Sequence, residues 1–294
     1  MNRDSEIIYR PALPADIPEM VDLHLLSVTD LLKRNGISRP PTPREALFPA
    51  YEHICSTGVF RVAERNNRIV AIAAAIIRDQ NWFLSAFWVL PDHQQKKIGL
   101  PLLKQVYQAG VDANATTFFT WASIDTTAMA CYMKLGMLPG YQILWFEGTP
   151  HSLPSIPASY ESNPLNKTIA MELDATLRGT PRKVDHEFWS DHLKIPGRQI
   201  MHNGKPIGYY YINKGSIGPA AWNHPQHAEA VLNIAFRDAA EMSPTIRVAL
   251  PGINHAAIRH SLGSGFRLVI YSHLLTTAPF GRMEQYIPSG PLFF

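Results

Sequence analysis

An apolar run ends at Pro91, and behind it come Asp92-His93-Gln94-Gln95-Lys96-Lys97-Ile98-Gly99-Leu100, a polar loop that opens a helix. Consecutive backbone N–H groups at a helix start form a ready anion site, and two adjacent lysines add positive charge. Phosphate or pyrophosphate is the ligand these residues suit. Taken alone, a lysine pair also describes any solvated basic loop. A second residue with chemistry to offer is Tyr132, on a helical stretch closed by Gly136. A phenol titrates near ~10 and a thiol near ~8.5, so a tyrosine can pass a proton to a departing thiolate across one hydrogen bond. At that spacing Tyr132 equally fits a core aromatic.

These residues need a scaffold, and the chain supplies one twice. Residues 7–10 read as a short strand, followed by a helix that Asp16 can cap and Pro18 can open. Two apolar segments, 59–64 and 69–77, flank Asn66-Asn67 and predict a hairpin. Residues 82–90 form a continuous apolar run, the pattern of a strand buried on both faces. Then come the helix from Leu100, a strand over 116–123, the helix 126–135 and a strand over 141–146. A proline-rich loop occupies 147–165, a strand is expected over 168–173, and a polar stretch over 178–183 offers a boundary. The second half repeats the order: a hairpin around Asn203-Gly204, a strand over 216–222, a helix over 227–240, a strand over 245–250, a helix ended by Gly263 and Gly265, and a strand over 266–275. Such recurrence points to a duplicated domain.

In this context the sequence resembles the GNAT superfamily of acyl-CoA-dependent N-acyltransferases. Val89-Leu90-Pro91 followed by Gln94, Lys97 and Gly99 is similar to that family's strand-Val-x-Pro and (Gln/Arg)-x-x-Gly-x-(Gly/Ala) signature, with Lys97 in place of its first glycine. Arg10-Pro11-Ala12 with Asp16 is similar to its opening strand and helix. Asp125 to Ala128, then Tyr132 and Gly136-Met137, is similar to its Asn-x-x-Ala-x-x-x-Tyr-x-x-x-Gly-Phe helix, with Asp125 and Met137 as departures. The likeness spans about 7–173 and, more weakly, 185–280.

The resemblance implies an α/β fold of two tandem GNAT-like domains, each a mixed, mostly antiparallel sheet flanked by helices. Their expected extents are 1–176 (catalytic) and 177–294 (a degenerate copy). It implies acetyl-CoA as acyl donor and an amine acceptor that attacks the thioester directly. Backbone groups of Trp88, Val89 and Leu90 would hold the pantetheine. Gln94, Gln95, Lys96, Lys97, Ile98, Gly99 and Leu100 would hold the pyrophosphate, with Asp125 and Ala128 nearby and Tyr132 as general acid. Strand 82–88 carries no Asp or Glu, so the base is left among water, His24 and the Phe294 carboxylate, since some related acyltransferases use a chain-terminal carboxylate. In the second half Ser261 falls where Tyr132 sits, and the loop after Trp222 lacks both glycine and lysine. A non-catalytic acyl-CoA-binding or sensing protein is the alternative. A tandem domain that binds nothing is a third reading.

Composition limits the rest. The 294 residues are 46% hydrophobic and 17% charged, ample for packed cores. Lys+Arg 27 against Asp+Glu 24 gives a net charge of +3, too small an excess to mark a nucleic-acid binder. No apolar run reaches the length of a membrane span, and the charged N-terminus lacks a signal peptide's apolar core. Cys55 and Cys131 suit neither a disulfide framework nor a zinc site. His224-x-x-His227 has metal-like spacing with no third ligand in sequence, and no metal is expected. Asp185-His186-Glu187 and Asp191-His192 read as an exposed helix start. A cytoplasmic monomer or homodimer, with no membrane or nucleic-acid partner, is the expectation.

Overall fold

The computed structural model describes residues 6–40, 42–151 and 153–294. Residues 1–5 of the charged N-terminus, Pro41 and Ser152 therefore lie outside the described residues. The chain divides into two compact units: Met1–Thr120 with Ile124–Leu138, and Trp121–Ser123 with Pro139–Phe294.

The first unit runs β1 (Ile8–Pro11), α1 (Ile17–Arg34), α2 (Phe48–Thr57), β2 (Val59–Arg65), β3 (Arg68–Arg78), β4 (Asn81–Val89), α3 (Gly99–Asp112), most of β5 (Thr117–Ala122) and α4 (Thr126–Met133). Strands β1 to β4 pair antiparallel in sequence order, and β4 pairs parallel with β5. The Asn66-Asn67 turn has φ of 53° and 58°, the left-handed pair a two-residue hairpin demands. Residues 69–76 of β3 are all buried, because helices cover both faces of this strand. Asp16 caps the turn ahead of α1 rather than α1 itself. Its carboxylate accepts from the Leu13 amide at 2.7 Å and pairs with Arg10 at 2.6 Å.

The second unit holds β6 (Leu138–Gly148), β7 (Tyr160–Pro164), α5 (Lys167–Arg178), α6 (Lys183–Glu187), a π-helical turn (Phe188–His192), β8 (Gly197–His202), β9 (Lys205–Asn213), β10 (Ser216–Trp222), α7 (Ala228–Met242), β11 (Ile246–Pro251), α8 (His255–Gly263), β12 (Arg267–Thr276) and β13 (Tyr286–Ile287). Its strand order is β12-β6-β11-β10-β9-β8-β7, with β13 beside β10. Thus β6, which follows the first copy's last helix in sequence, pairs antiparallel with β11 of the second, from Gly148↔Ile246 to Ile143↔Pro251. Residues 139–176, expected in the first domain, lie in the second compact unit. Trp222, Phe236, Val248 and Phe266 anchor this unit's core.

Three local readings need correction. Residues 168–173 are helical, not a strand: Asn166 caps α5 through the Thr168 amide, and Ala170, Leu173, Asp174, Leu177 and Arg178 repeat at helical spacing on its buried face. The 147–165 loop includes the edge strand β7. Asp185 and His186 are buried rather than exposed.

His186 belongs to a fully buried charge cluster. Asp174 accepts from Arg182 at 2.7 and 2.9 Å, from Tyr209 at 2.5 Å, and faces His186 Nε2 at 3.2 Å. Arg182 also donates to the Tyr286 hydroxyl. Arg178 and Arg182 donate to the Phe294 carbonyl oxygen at 2.6 and 2.9 Å. Burial alone would raise the Asp174 pKa, but Arg182 above all, then His186 and Arg178, overcome it and hold it at about 2. A carboxylate depressed from 3.8 to about 2 stabilises the fold above pH ~4 and loses that contribution as pH falls toward 2. Asp174→Asn should cost about 3–5 kcal/mol at neutral pH, because it strands a buried guanidinium. In urea unfolding, the gap between wild type and variant should narrow steadily between pH ~4 and ~2.

Candidate functional site

The site grows from one strand. Parallel pairing of β4 with β5 runs from Asn81↔Thr117 to Leu84↔Thr120 and stops there, while β4 continues to Val89. At the same point β4 bulges: Leu84 faces Ala75 and Ala86 faces Ala74, leaving Ser85 extra. Beyond the bulge β3 still takes one edge of the strand. The other edge, at Phe87, Trp88 and Val89, has no strand partner among the described residues, although the Val89 carbonyl there is taken by side chains of Gln94 and Ser27.

Just past this edge the chain turns through Gln94 to Ile98 into α3. Gln95 and Lys97 both have φ of 61°. Alternating left-handed residues of this kind turn neighbouring N–H groups into one concavity, which opens here beside the unsatisfied N–H groups at the start of α3. Lys96 and Lys97 are exposed, and Ile98 is buried. The loop is tied down on both sides. Gln94 Nε2 donates to the Val89 carbonyl at 3.1 Å, Ser27 Oγ donates to the same oxygen at 3.3 Å, and Tyr9 Oη donates to the Ile98 carbonyl at 3.2 Å. Gly99 is required by crowding, since a Cβ there would press at 2.9 Å on the Phe87 ring and 3.2 Å on Val89. The residue counted as a departure, Lys97, thus adopts the conformation for which glycine is normally used.

Neighbouring residues of β4 face opposite ways, and the two faces carry different groups. Phe87 meets Tyr132 of α4, ring centroids 5.9 Å apart. Burial, followed by the charges of Asp125 and Cys131, pushes the Tyr132 phenol well above its ordinary range, so it stays protonated. Asp125 caps α4 through the amides of Thr127 and Ala128, at 2.9 and 3.0 Å, and pairs with Arg34 at 3.5 Å. Cys131 is raised by burial and is no activated nucleophile. On the other face Trp88 meets His24 of α1, ring centroids 5.0 Å apart. His24 Nδ1 shares a 2.6 Å hydrogen bond with the Tyr51 hydroxyl. Burial, with a smaller contribution from Arg39, lowers His24 to about 4, so it is neutral at physiological pH.

The structure therefore gathers Trp88, Val89 and the 94–100 loop around one strand end, with Asp125, Ala128 and Tyr132 on the adjoining helix. Ser27, Tyr9 and Tyr51, which support this arrangement, escaped the sequence reading because lone hydroxyls on helices and strands carry no local signature. The Phe294 carbonyl oxygen is engaged by two buried guanidiniums in the second unit. His202 comes within 5.0 Å of His227, ring to ring, yet among the described residues no group of three or more His, Cys, Asp or Glu is placed to hold a metal. No helix among them is long and apolar enough to cross a membrane.

An α/β protein with an open strand edge running into an anion-receptive helix start is the class these features define. Residues 25–137 match the model of the Acetyltransferase (GNAT) family. Among solved structures, a candidate acetyltransferase from Pyrococcus horikoshii aligns over 98% of this chain and 96% of its own at TM-score 0.78 and 17% identity. A GCN5-related N-acetyltransferase from Sphaerobacter thermophilus aligns over 93% and 96% at TM-score 0.65 and 16% identity. A tandem GNAT protein from the clavulanic acid biosynthesis pathway aligns over 93% and 99% at TM-score 0.62 and 14% identity. At such identities the likeness is one of fold, and it supports the two-domain GNAT arrangement. No curated protein matches the chain.

The left-handed conformation at Lys97 has a measurable cost. Lys97→Gly should exceed Lys97→Ala in stability by about 1 kcal/mol, because only glycine adopts φ of 61° without strain. Urea unfolding of the two variants checks this, and equal stability would contradict the strain.

Proposed function

We propose that the chain is an acetyl-CoA-dependent N-acetyltransferase whose donor site lies in the first unit. The β4 edge beyond Leu84 carries this reading, because there a strand edge without a strand partner among the described residues runs into a loop suited to an anion. Backbone groups of Trp88 and Val89 would pair with the pantetheine amides and polarise the thioester carbonyl, with Leu90, whose amide donates to the Val70 carbonyl, fixing the strand end. Gln94, Gln95, Lys96, Lys97, Ile98, Gly99 and Leu100 would receive the pyrophosphate.

The two faces of β4 divide the reaction. The acceptor amine attacks the thioester carbon, its lone pair forming the C–N bond, and the C–S bond breaks with its electrons on sulfur. Tyr132, protonated on the Phe87 face, hydrogen-bonds the developing thiolate and yields its proton to it, a transfer that burial of the phenol makes less favourable than for a free phenol. The amine's proton leaves toward the Trp88 face, where His24 is neutral and able to accept it.

Tyr132→Phe should lower kcat by about 10²-fold while leaving the KM for acetyl-CoA unchanged. The measurement is CoA release with acetyl-CoA over a panel of small amines, amino acids and peptide N-termini. Tight acetyl-CoA binding without turnover, indifferent to Tyr132→Phe, would replace this reading with a non-catalytic acyl-CoA sensor. With an acceptor amine that stays unprotonated at low pH, such as an aromatic amine, a base titrating at about 4 predicts that turnover falls as pH drops through that value. His24→Gln should abolish that acid limb, which a pH profile of kcat reads directly.

A further inference from the structure

The second unit repeats the feature on which the donor site rests. Parallel pairing of β10 with β11 covers Ser216↔Arg247 and Ile217↔Val248 and stops. At the same point β10 bulges against β9, between Ile217 and Ala220. This is the geometry of β4 after Leu84, met again in the second copy. Here, however, the edge is taken. β13 runs antiparallel along β10, with Ala220 opposite Ile287 and Ala221 opposite Tyr286.

The occupant is held by side chains as well as by the ladder. Gln285 Nε2 donates to the Trp222 carbonyl at 2.8 Å, at the strand's last residue. Asn254, which caps α8 through the Ala257 amide, donates from Nδ2 to the Tyr286 carbonyl at 3.2 Å. Asn254 stands in α8 where Asp125 stands in α4. Gly218, at φ 143°, allows the close approach of this segment, since a Cβ there would strike the Pro288 carbonyl. Tyr286 and Ile287 are fully buried. The occupant is therefore a built part of the unit.

We propose that the second copy's donor cleft is a site whose ligand is the chain itself: residues 285–287 take along β10 the place that an acyl-CoA pantetheine takes along β4. The inference rests on the reading of the β4 edge as a donor site. Each chain then binds a single acyl-CoA, in the first unit. The second copy lost its phosphate loop because no nucleotide has to reach its cleft.

Native mass spectrometry and amide hydrogen exchange, with and without CoA, test this on the full chain. One CoA per chain, with new protection at 87–100 and none at 220–222, is the expected result. Two CoA per chain, or CoA-dependent change at 220–222 with loss of protection at 285–287, would overturn the self-occupied cleft while leaving the first site standing. No protection at 87–100 would instead remove the donor-site reading on which the inference rests. In the variant pair Gln285→Ala with Asn254→Ser, which keeps a capping hydroxyl, exchange at 220–222 should rise roughly tenfold. Free pantetheine at millimolar concentration should then restore protection there. Continued exposure in its presence would show that the cleft does not fit a pantetheine arm.

Discussion

A β-strand whose parallel partner stops half-way must find other partners for its backbone, because buried N–H and C=O groups left without hydrogen bonds are costly. Both copies meet this constraint at the same place, one residue before a bulge, after Leu84 in one and after Ile217 in the other. The surroundings follow from how each is resolved. In the first, the loop after β4 turns through two left-handed residues and is tied to the Val89 carbonyl by Gln94 and Ser27, while no strand pairs with this edge among the described residues. In the second, a segment 285–287 closes the ladder, and Gln285 and Asn254 serve it instead of a ligand.

The buried cluster around Asp174 shows a different economy. Placing two guanidiniums, a carboxylate and an imidazole out of water is tolerable only when each finds partners, and here Arg182 meets Asp174, Tyr286 and the Phe294 carbonyl together. Such networks add specificity of arrangement more than net stability. Phe294 and Tyr286 are both among the partners, so the cluster fixes the path of the chain at β13 and after it.

Most of the fold was legible because its signals are local. Asn66-Asn67 and Asn203-Gly204 announce hairpins through the left-handed conformations they tolerate, and the unbroken apolar run of β4 announces burial on both faces. The turn from β4 into α3 was legible through residue order, and Lys97 takes the left-handed conformation that suits a glycine position. What escaped was non-local. The stretch 168–173 alternates enough to imitate a strand, and only the buried face of the whole helix, ending in charged Asp174 and Arg178, shows its period. The partners of Asp174, namely Arg182, His186 and Tyr209, are supplied by other elements, so nothing local in the sequence marks it as buried. Nor does any sequence pattern mark Tyr286–Ile287 as a strand, since two residues make no periodicity.

The placement of β6 sets how this chain can be divided. Its sequence position assigns it to the first copy, and its hydrogen bonds assign it to β11 of the second. A cut after residue 176 would separate the two strands and leave β11 with a bare edge and β6 without its ladder, a template for uncontrolled pairing. The boundary of the repeat in sequence is therefore not the boundary of the structural units, and a strand written in the first half is folded as part of the second.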